Sequence, residues 1–339
     1  MTADNTLVEV KDLKVYFPIF GGIFSKKIAA VKAVDGISFD LNREETVGLV
    51  GESGCGKTTV GRAMINILRH IAPDVEIYGN IKYHFKGKSE SPVDFAQRAP
   101  KQIRQYRSKV QMIFQDPYAS LNPRMTVAQI IGEPLSLHTK MTDSEMKDRV
   151  GWLLNTVGLQ PEQAYRYPHE FSGGQRQRVG IARALATNPD LIICDEPVSA
   201  LDVSIQAQVI NLMMDLQDEF NVSYLFIAHD LSVVEHIADK IAVMYLGNIV
   251  EFGGSEDIFY RPIHPYSKAL LSAVPLPNPK RERAGRVVLK GDVPTPINKP
   301  SGCGFRTRCP LAQPSCAENI PLLEEQEPNH FVACPVVSR

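Results

Sequence analysis

One run of eight residues constrains this chain more than any other: Gly51-Glu52-Ser53-Gly54-Cys55-Gly56-Lys57-Thr58. Before it stands an apolar stretch of strand character, Thr46–Gly51. After it Val60, Met64, Ile67 and Leu68 recur at helical spacing. Glycines at the first, fourth and sixth places let backbone N–H groups face inward, and the start of the helix adds its dipole. Such a strand–loop–helix wraps phosphate groups. Lys57 would reach the outer phosphates, and the hydroxyl of Thr58 would ligate Mg²⁺. Gly51, Ser53, Gly54, Cys55, Gly56 and Thr59 complete the expected nucleotide contacts. An ordinary glycine turn explains the glycines alone, but not the lysine, the threonine and both flanking elements.

The rest of the chain repeats the alternation. Leu7–Phe17, Val34–Leu41, Leu191–Cys194, Tyr224–Ala228 and Lys240–Tyr245 read as strands. Helical periodicity marks Met125–Gly158, Gln175–Ala186 and Ile205–Phe220. The pattern predicts an α/β fold with a mainly parallel sheet covered on both faces. Pro18–Ala30 reads as an interruption and Gly87–Lys101 as a polar surface loop. After Arg261 prolines crowd the chain and four of its six cysteines follow residue 300, so 261–339 reads as a separate, irregular appendage to a 1–260 domain. At 339 residues, one large domain plus an appendage is the reasonable expectation.

Composition excludes several classes. With 44% apolar and 22% charged residues the chain is neither disordered nor fibrous. A net charge of −1 gives no overall electrostatic footprint for nucleic acid. No apolar run approaches the roughly 18 residues of a membrane span, and Met1–Glu9 lacks a secretory pattern. The expectation is a cytosolic protein with reduced cysteines.

Two further segments carry chemistry. Leu191-Ile192-Ile193-Cys194-Asp195-Glu196 delivers two carboxylates at the end of an apolar strand, the edge where α/β sheets gather ligands. Asp195 suits Mg²⁺ and Glu196 suits an attacking water. Taken alone, two acids after a strand are more often a helix cap. Together with the phosphate loop, that order reverses. Phe171-Ser172-Gly173-Gly174-Gln175 opens a helix, and is either a second anion site or only a well-capped start.

These segments resemble the motif set of ABC ATPases. Gly51–Thr58 resembles the Walker A loop, Leu191–Glu196 the Walker B strand with its catalytic glutamate, and Ser172, Gly173, Gly174 and Gln175 the signature motif, with Phe171 in place of the usual leucine. Gln115 matches the glutamine that contacts Mg²⁺ and senses the membrane partner. Asp202, in Ser199-Ala200-Leu201-Asp202, matches the D-loop, His229 the switch histidine, and Tyr16 the aromatic against adenine. The resemblance implies an ATPase core with N-terminal antiparallel strands, a helical subdomain at about 116–180, and composite sites closed by a head-to-tail dimer.

Pro18–Ala30, Phe114–Thr126, Tyr167–Arg178, His264–Pro275 and Gly291–Pro310 together resemble the ATPase subunits of oligopeptide/dipeptide permeases. Cys55 and the run CDEPVSALDVSIQAQV are similar to the subunit conventionally lettered F rather than to its D partner. The resemblance implies a second ABC ATPase in a heterodimer, two membrane permease subunits, an extracytoplasmic peptide-binding protein, and a place at the cytoplasmic face of the bacterial inner membrane. Nickel, glutathione and antimicrobial-peptide systems use similar subunits, so cargo stays open. A soluble ABC ATPase of DNA repair or translation is the other class, but this chain lacks a second cassette and a long coiled coil.

Cys303, Cys309, Cys316 and Cys334 are separated by five, six and seventeen residues in a stretch that needs a staple. A reducing compartment disfavours disulfides. Zinc fits the thiols but lacks its usual closely spaced pairs, and four thiols also suit a 4Fe–4S cluster. Ligand type leaves these alternatives open. The family resemblance points to the cluster.

Overall fold

The structure, a computed structural model, describes residues 5–22, 25–86, 91–273, 289 and 291–337. Phe24, residues 87–90 of the expected loop, and the prolines at 275, 277 and 279 lie outside them. The chain forms two compact units. One, here the loop unit, comprises Leu7–Asp40, Thr46–Gln97 and Ala228–Arg339. The other, the helical unit, comprises Met1–Thr6, Leu41–Glu45 and Arg98–Ile227.

The loop unit holds an antiparallel sheet in the order Lys26–Asn42, Thr6–Gly21, Glu76–Tyr83, Val93–Asp94. Val8 faces Tyr83 at one end of the central pairing and Tyr16 faces Glu76 at the other. Val8 and Val10 are buried before Lys11, but Leu13 and Val15 after it. A bulge between Lys11 and Lys14, with Asp12 at φ +46°, inserts the residue that switches the buried parity. The expected interruption at Pro18–Ala30 is instead the continuation of both strands, to Gly21 and from Lys26. Glu76–Tyr83 reaches only as far as Tyr16, so Pro18 lies past the end of that ladder and withholds no N–H from it.

Around the phosphate loop the same unit packs Thr46–Val50 parallel to Lys240–Tyr245, with Val47 opposite Lys240 and Val50 opposite Val243. Every residue of Thr46–Val50 is buried, as expected of a strand covered on both faces. Asn248–Gly254 then pairs antiparallel with Lys240–Tyr245. The supposed polar loop before Lys101 is partly core. Phe95 is buried, 4.3 Å from the Tyr83 ring, whose hydroxyl donates to the Met64 carbonyl at 2.9 Å.

The C-terminal segment is more regular than its composition suggested. It contains the helix Pro265–Ser272 and the strands Glu324–Glu327 and His330–Val332. His330–Val332 pairs with Asn248–Gly254, and Glu324–Glu327 pairs with His330–Val332. One buried carboxylate fastens it. Glu251 accepts from the Ile263 and His264 N–H groups at 2.7 and 3.0 Å, and from His330 Nε2 at 2.7 Å. Phe305 is buried edge-on against Tyr245 and Tyr266, at 5.2 and 5.3 Å.

In the helical unit, Leu191–Asp195 is flanked by two parallel strands, Val110–Ile113 and Ser223–Ala228. The expected helical stretch resolves into Val127–His138 and Asp143–Thr156, each opened by a capping box, Thr126 with Gln129 and Thr142 with Glu145. Gly173–Leu185 and Val203–Phe220 complete the unit's long helices. Among the described residues no helix is long and apolar enough to cross a membrane.

Candidate functional site

In the loop unit, Gly51, Gly54 and Gly56 all have positive φ, +150°, +78° and +107°. A Cβ on Gly51 would stand 2.1 Å from the Met244 carbonyl oxygen, and one on Gly56 would stand 2.1 Å from that of Ala33. No side chain fits at either place, so the turn requires glycine on sterics as well as on φ. Gly247 N–H donates to the Cys55 carbonyl at 2.9 Å and pins the turn from outside. The helix Lys57–Met64 starts at once. The Lys57 ammonium is buried and donates to the Gly51 and Glu52 carbonyls at 2.8 and 3.1 Å. An arriving phosphate oxygen would replace those carbonyls. Cys55 is buried beside it, and burial pushes its thiol up, with Lys57 partly opposing. Thr58 and Thr59 occupy the first helical turn.

Tyr16, in the antiparallel sheet of the same unit, is half-buried, with the Lys32 ammonium 5.8 Å from its ring centre. Its hydroxyl donates to Asp35 Oδ1, while Lys299 Nζ donates to Oδ2 at 2.9 Å. Burial alone would raise the Asp35 carboxyl. The bonds from Tyr16 and Lys299 outweigh that and leave it below the usual carboxylate range. His229 is exposed, directly after Ala228 and before the helix Leu231–Ile237.

The helical unit brings a second group together. Asp195 ends its strand fully buried. Glu196 follows with φ +47°, a left-handed conformation that side chains other than Asn, Asp and Gly seldom adopt. Gln115 Nε2 donates to Glu196 Oε2 at 2.8 Å, although 81 residues separate them. Thus the glutamine expected as sensor and the carboxylate expected to be catalytic touch.

Ser172 caps the helix Gly173–Leu185. Gln175 N–H donates to its hydroxyl at 3.3 Å, and Ser172 N–H donates to Gln175 Oε1 at 3.0 Å. The well-capped helix is real, and Ser172 still faces outward. A Cβ on Gly174 would stand 2.6 Å from Ile205 Cγ2, so this glycine packs against the helix that Asp202 opens. Asp202 spends no side-chain bond on capping that helix.

A set of residues with no expected role meets the phosphate loop within the loop unit. Arg308 grips Glu52 of the phosphate loop with both terminal nitrogens, at 2.6 and 3.1 Å, and Glu52 N–H donates to the Tyr266 hydroxyl at 3.0 Å. The available signal was chemical: an acid inside a loop built for anions calls for a nearby cation.

Mg²⁺ fits the donor chemistry expected of it, since Thr58, Gln115 and Asp195 all offer oxygen. The four C-terminal cysteines form no disulfide, and Cys303, Cys316 and Cys334 are buried. Burial pushes the Cys303 thiol up, the Phe305 N–H partly opposes it, and the Cys334, Cys316 and Cys309 sulfurs add to the rise. Their chemistry suits a metal cluster, but their geometry is not that of a preformed site. Among the described residues no group of three or more His, Cys, Asp or Glu side chains is set to hold a metal ion.

A family profile described as "ABC transporter" matches residues 34–199, and one described as "Oligopeptide/dipeptide transporter, C-terminal region" matches residues 250–316. The chain is 53% identical over 342 residues to the oligopeptide transport ATP-binding protein AppF of Bacillus subtilis, over the full length of both. It is 51% identical to the oligopeptide transport ATP-binding protein OppF of Salmonella typhimurium, covering 97% of this chain and 96% of that one. Among solved structures, the ATP-binding cassette MJ0796, a dimer in a post-hydrolysis state bound to ADP and Pi, superposes with a TM-score of 0.60. It is 24% identical and covers 74% of this chain and 99% of that one. That likeness establishes the fold.

Proposed function

We propose, from the premise that this chain belongs to the ATP-binding subunits of ABC transporters in their oligopeptide/dipeptide branch, that it hydrolyses ATP to power a bacterial importer of di- or oligopeptides. The observation that carries the enzymatic reading is the Gln115–Glu196 bond at the end of the acid-bearing strand.

The residues divide the work as follows. Lys57 exchanges loop carbonyls for phosphate oxygens, and the loop's N–H groups hold the remainder. Tyr16 stacks on adenine. Thr58, Gln115 and Asp195 would hold Mg²⁺, which would supply charge neutralisation at the phosphates. Glu196 orients and polarises the attacking water, and Gln115 steadies its carboxylate. His229 contacts the outermost phosphate. Ser172, Gly173, Gly174 and Gln175, with Asp202, serve the nucleotide of a second ABC ATPase in a head-to-tail heterodimer.

Two membrane permease subunits and an extracytoplasmic peptide-binding protein complete the proposed assembly, with this chain at the cytoplasmic face of the membrane. A cleft of about 580 Å³ between Val127–His138 and Asp143–Thr156, floored by Met125, Ala128, Val150 and Ala164, gives a permease segment an apolar seat. Functionally, 1–260 is the nucleotide-binding part, with its helical portion at about 116–180, and 261–339 the transporter-specific part. A 4Fe–4S cluster on Cys303, Cys309, Cys316 and Cys334 rests on the family resemblance and on four unbonded thiols, without a preformed metal site among the described residues. Anaerobically purified protein would be brown with about four irons per chain. Colourless protein with one zinc would reject the cluster.

Glu196→Gln tests the catalytic reading. It should keep ATP binding, because glutamine can still accept from Gln115, and lower turnover by about 10²–10⁴-fold. Turnover at the parent rate would remove Glu196 from its role.

A further inference from the structure

A loop that receives a polyanion should not carry a free acid, yet Glu52 is the second residue of the phosphate loop. Its carboxylate is not free. The Arg308 guanidinium, only 9% exposed, holds both oxygens in a two-pronged pair. Arg308 is itself fixed. Its N–H donates to the Phe305 carbonyl at 2.9 Å, and Phe305 is wedged against Tyr245 and Tyr266. Tyr266 also accepts the Glu52 N–H, so residue 52 is clamped at both side chain and backbone.

A second tie runs from the same segment. Pro296 accepts from the Lys32 N–H at 3.1 Å, and Lys299 pairs with Asp35, the carboxylate that also holds the Tyr16 hydroxyl. Residues 296–308 thus reach both the phosphate loop and the aromatic expected against adenine, all within the loop unit.

We propose that Arg308 is a positioning residue of the ATP site: its pair with Glu52 neutralises and turns aside the one acid of the phosphate loop, so that the C-terminal segment sets nucleotide affinity. The proposal rests on the reading that Gly51–Thr58 binds ATP. Without Arg308, the Glu52 carboxylate would remain on the loop as an unpaired charge of the same sign as the triphosphate. The penalty therefore lies in the carboxylate left behind, not in the missing cation as such, and removing both should relieve it. Arg308→Lys keeps the charge but loses the two-pronged geometry.

Binding of MgATP to the purified full chain, read by calorimetry, tests this together with the apo melting curve. Arg308→Gln should weaken binding about tenfold, the scale of one charge-assisted hydrogen bond, with a smaller loss at high salt. Glu52→Gln/Arg308→Gln should recover to within about threefold of the parent, and Arg308→Lys should fall between the two. Recovery in the double variant is a readout that a purely structural role would not give. Parent affinity in Arg308→Gln, or a double variant as weak as the single, would overturn the proposal. Should Arg308→Gln fail to fold, parent affinity in Arg308→Lys would overturn it instead. Lys57→Ala separates the two readings: if it binds MgATP as the parent does, the ATP site is wrongly placed whatever Arg308 does.

Discussion

Replacing Glu251 by alanine should release the C-terminal segment. The carboxylate is fully buried and satisfies three donors, the N–H groups of Ile263 and His264 and the ring nitrogen of His330. Alanine leaves all three buried without an acceptor. Each hydrogen bond to a charged group is worth about 1.5–3 kcal/mol. The carboxylate's own desolvation cost disappears with it, so the net loss should be about 3–5 kcal/mol, as for breaking a buried pair. Against a total of about 5–15 kcal/mol for a domain, that is a large fraction. Glutamine keeps the volume and one acceptor and should cost about 1–3 kcal/mol. Urea unfolding of the parent and both variants measures the total. Amide exchange locates it, with protection falling first at Ile263, His264 and Val332. A Glu251→Ala protein within about 0.5 kcal/mol of the parent would refute the claim that this carboxylate fastens the tail.

Other consequences are equally open to measurement. His264 is buried, and burial holds its imidazole neutral down to about 4. The unfolded chain takes up that proton at about 6.5, so stability is whole above that pH and declines as pH falls toward 4, by about 3 kcal/mol. His264→Asn, which can still cap the following helix, should flatten this part of the pH profile, and an unchanged profile would clear His264. Tyr16→Ala should weaken ATP binding by about 1–3 kcal/mol, the scale of base–aromatic stacking. Tyr16→Phe keeps the ring but breaks the bond to Asp35, so it should cost about 1 kcal/mol rather than nothing. Equal affinities in all three proteins would remove Tyr16 from the site. Ser172→Arg should leave nucleotide binding by the isolated chain intact and prevent closure with the proposed partner ATPase. Brisk hydrolysis by a strictly monomeric parent would refute the shared site.

Local chemistry made the phosphate loop legible, because its glycines, lysine and following helix lie in one stretch of chain. The parallel strands were legible for the same reason, as short apolar runs. Pro18 and the glycines near it mimicked a break, since punctuation residues announce a turn but not how far each arm of a hairpin extends. Phe95 was hidden in a polar stretch, its place set from elsewhere in the chain by the Tyr83 ring and by Asn66, which donates to its carbonyl. What stayed illegible was distance. The contact of Gln115 with Glu196 spans 81 residues, and that of Arg308 with Glu52 spans 256. Resemblance supplied roles for Gln115 and Glu196, but nothing local pointed Arg308 toward the loop. The cysteine spacing, conversely, was legible as a pattern but not as a geometry.

The left-handed backbone at Glu196 has a consequence for anyone evolving this protein. Glycine or asparagine would sit there with less conformational cost, so a screen that rewards heat resistance alone favours losing the carboxylate. With the proposed role of Glu196, variants enriched in that way would be sturdier and unable to turn over nucleotide. A library aimed at hardier transport should therefore hold position 196 fixed and seek its gains elsewhere.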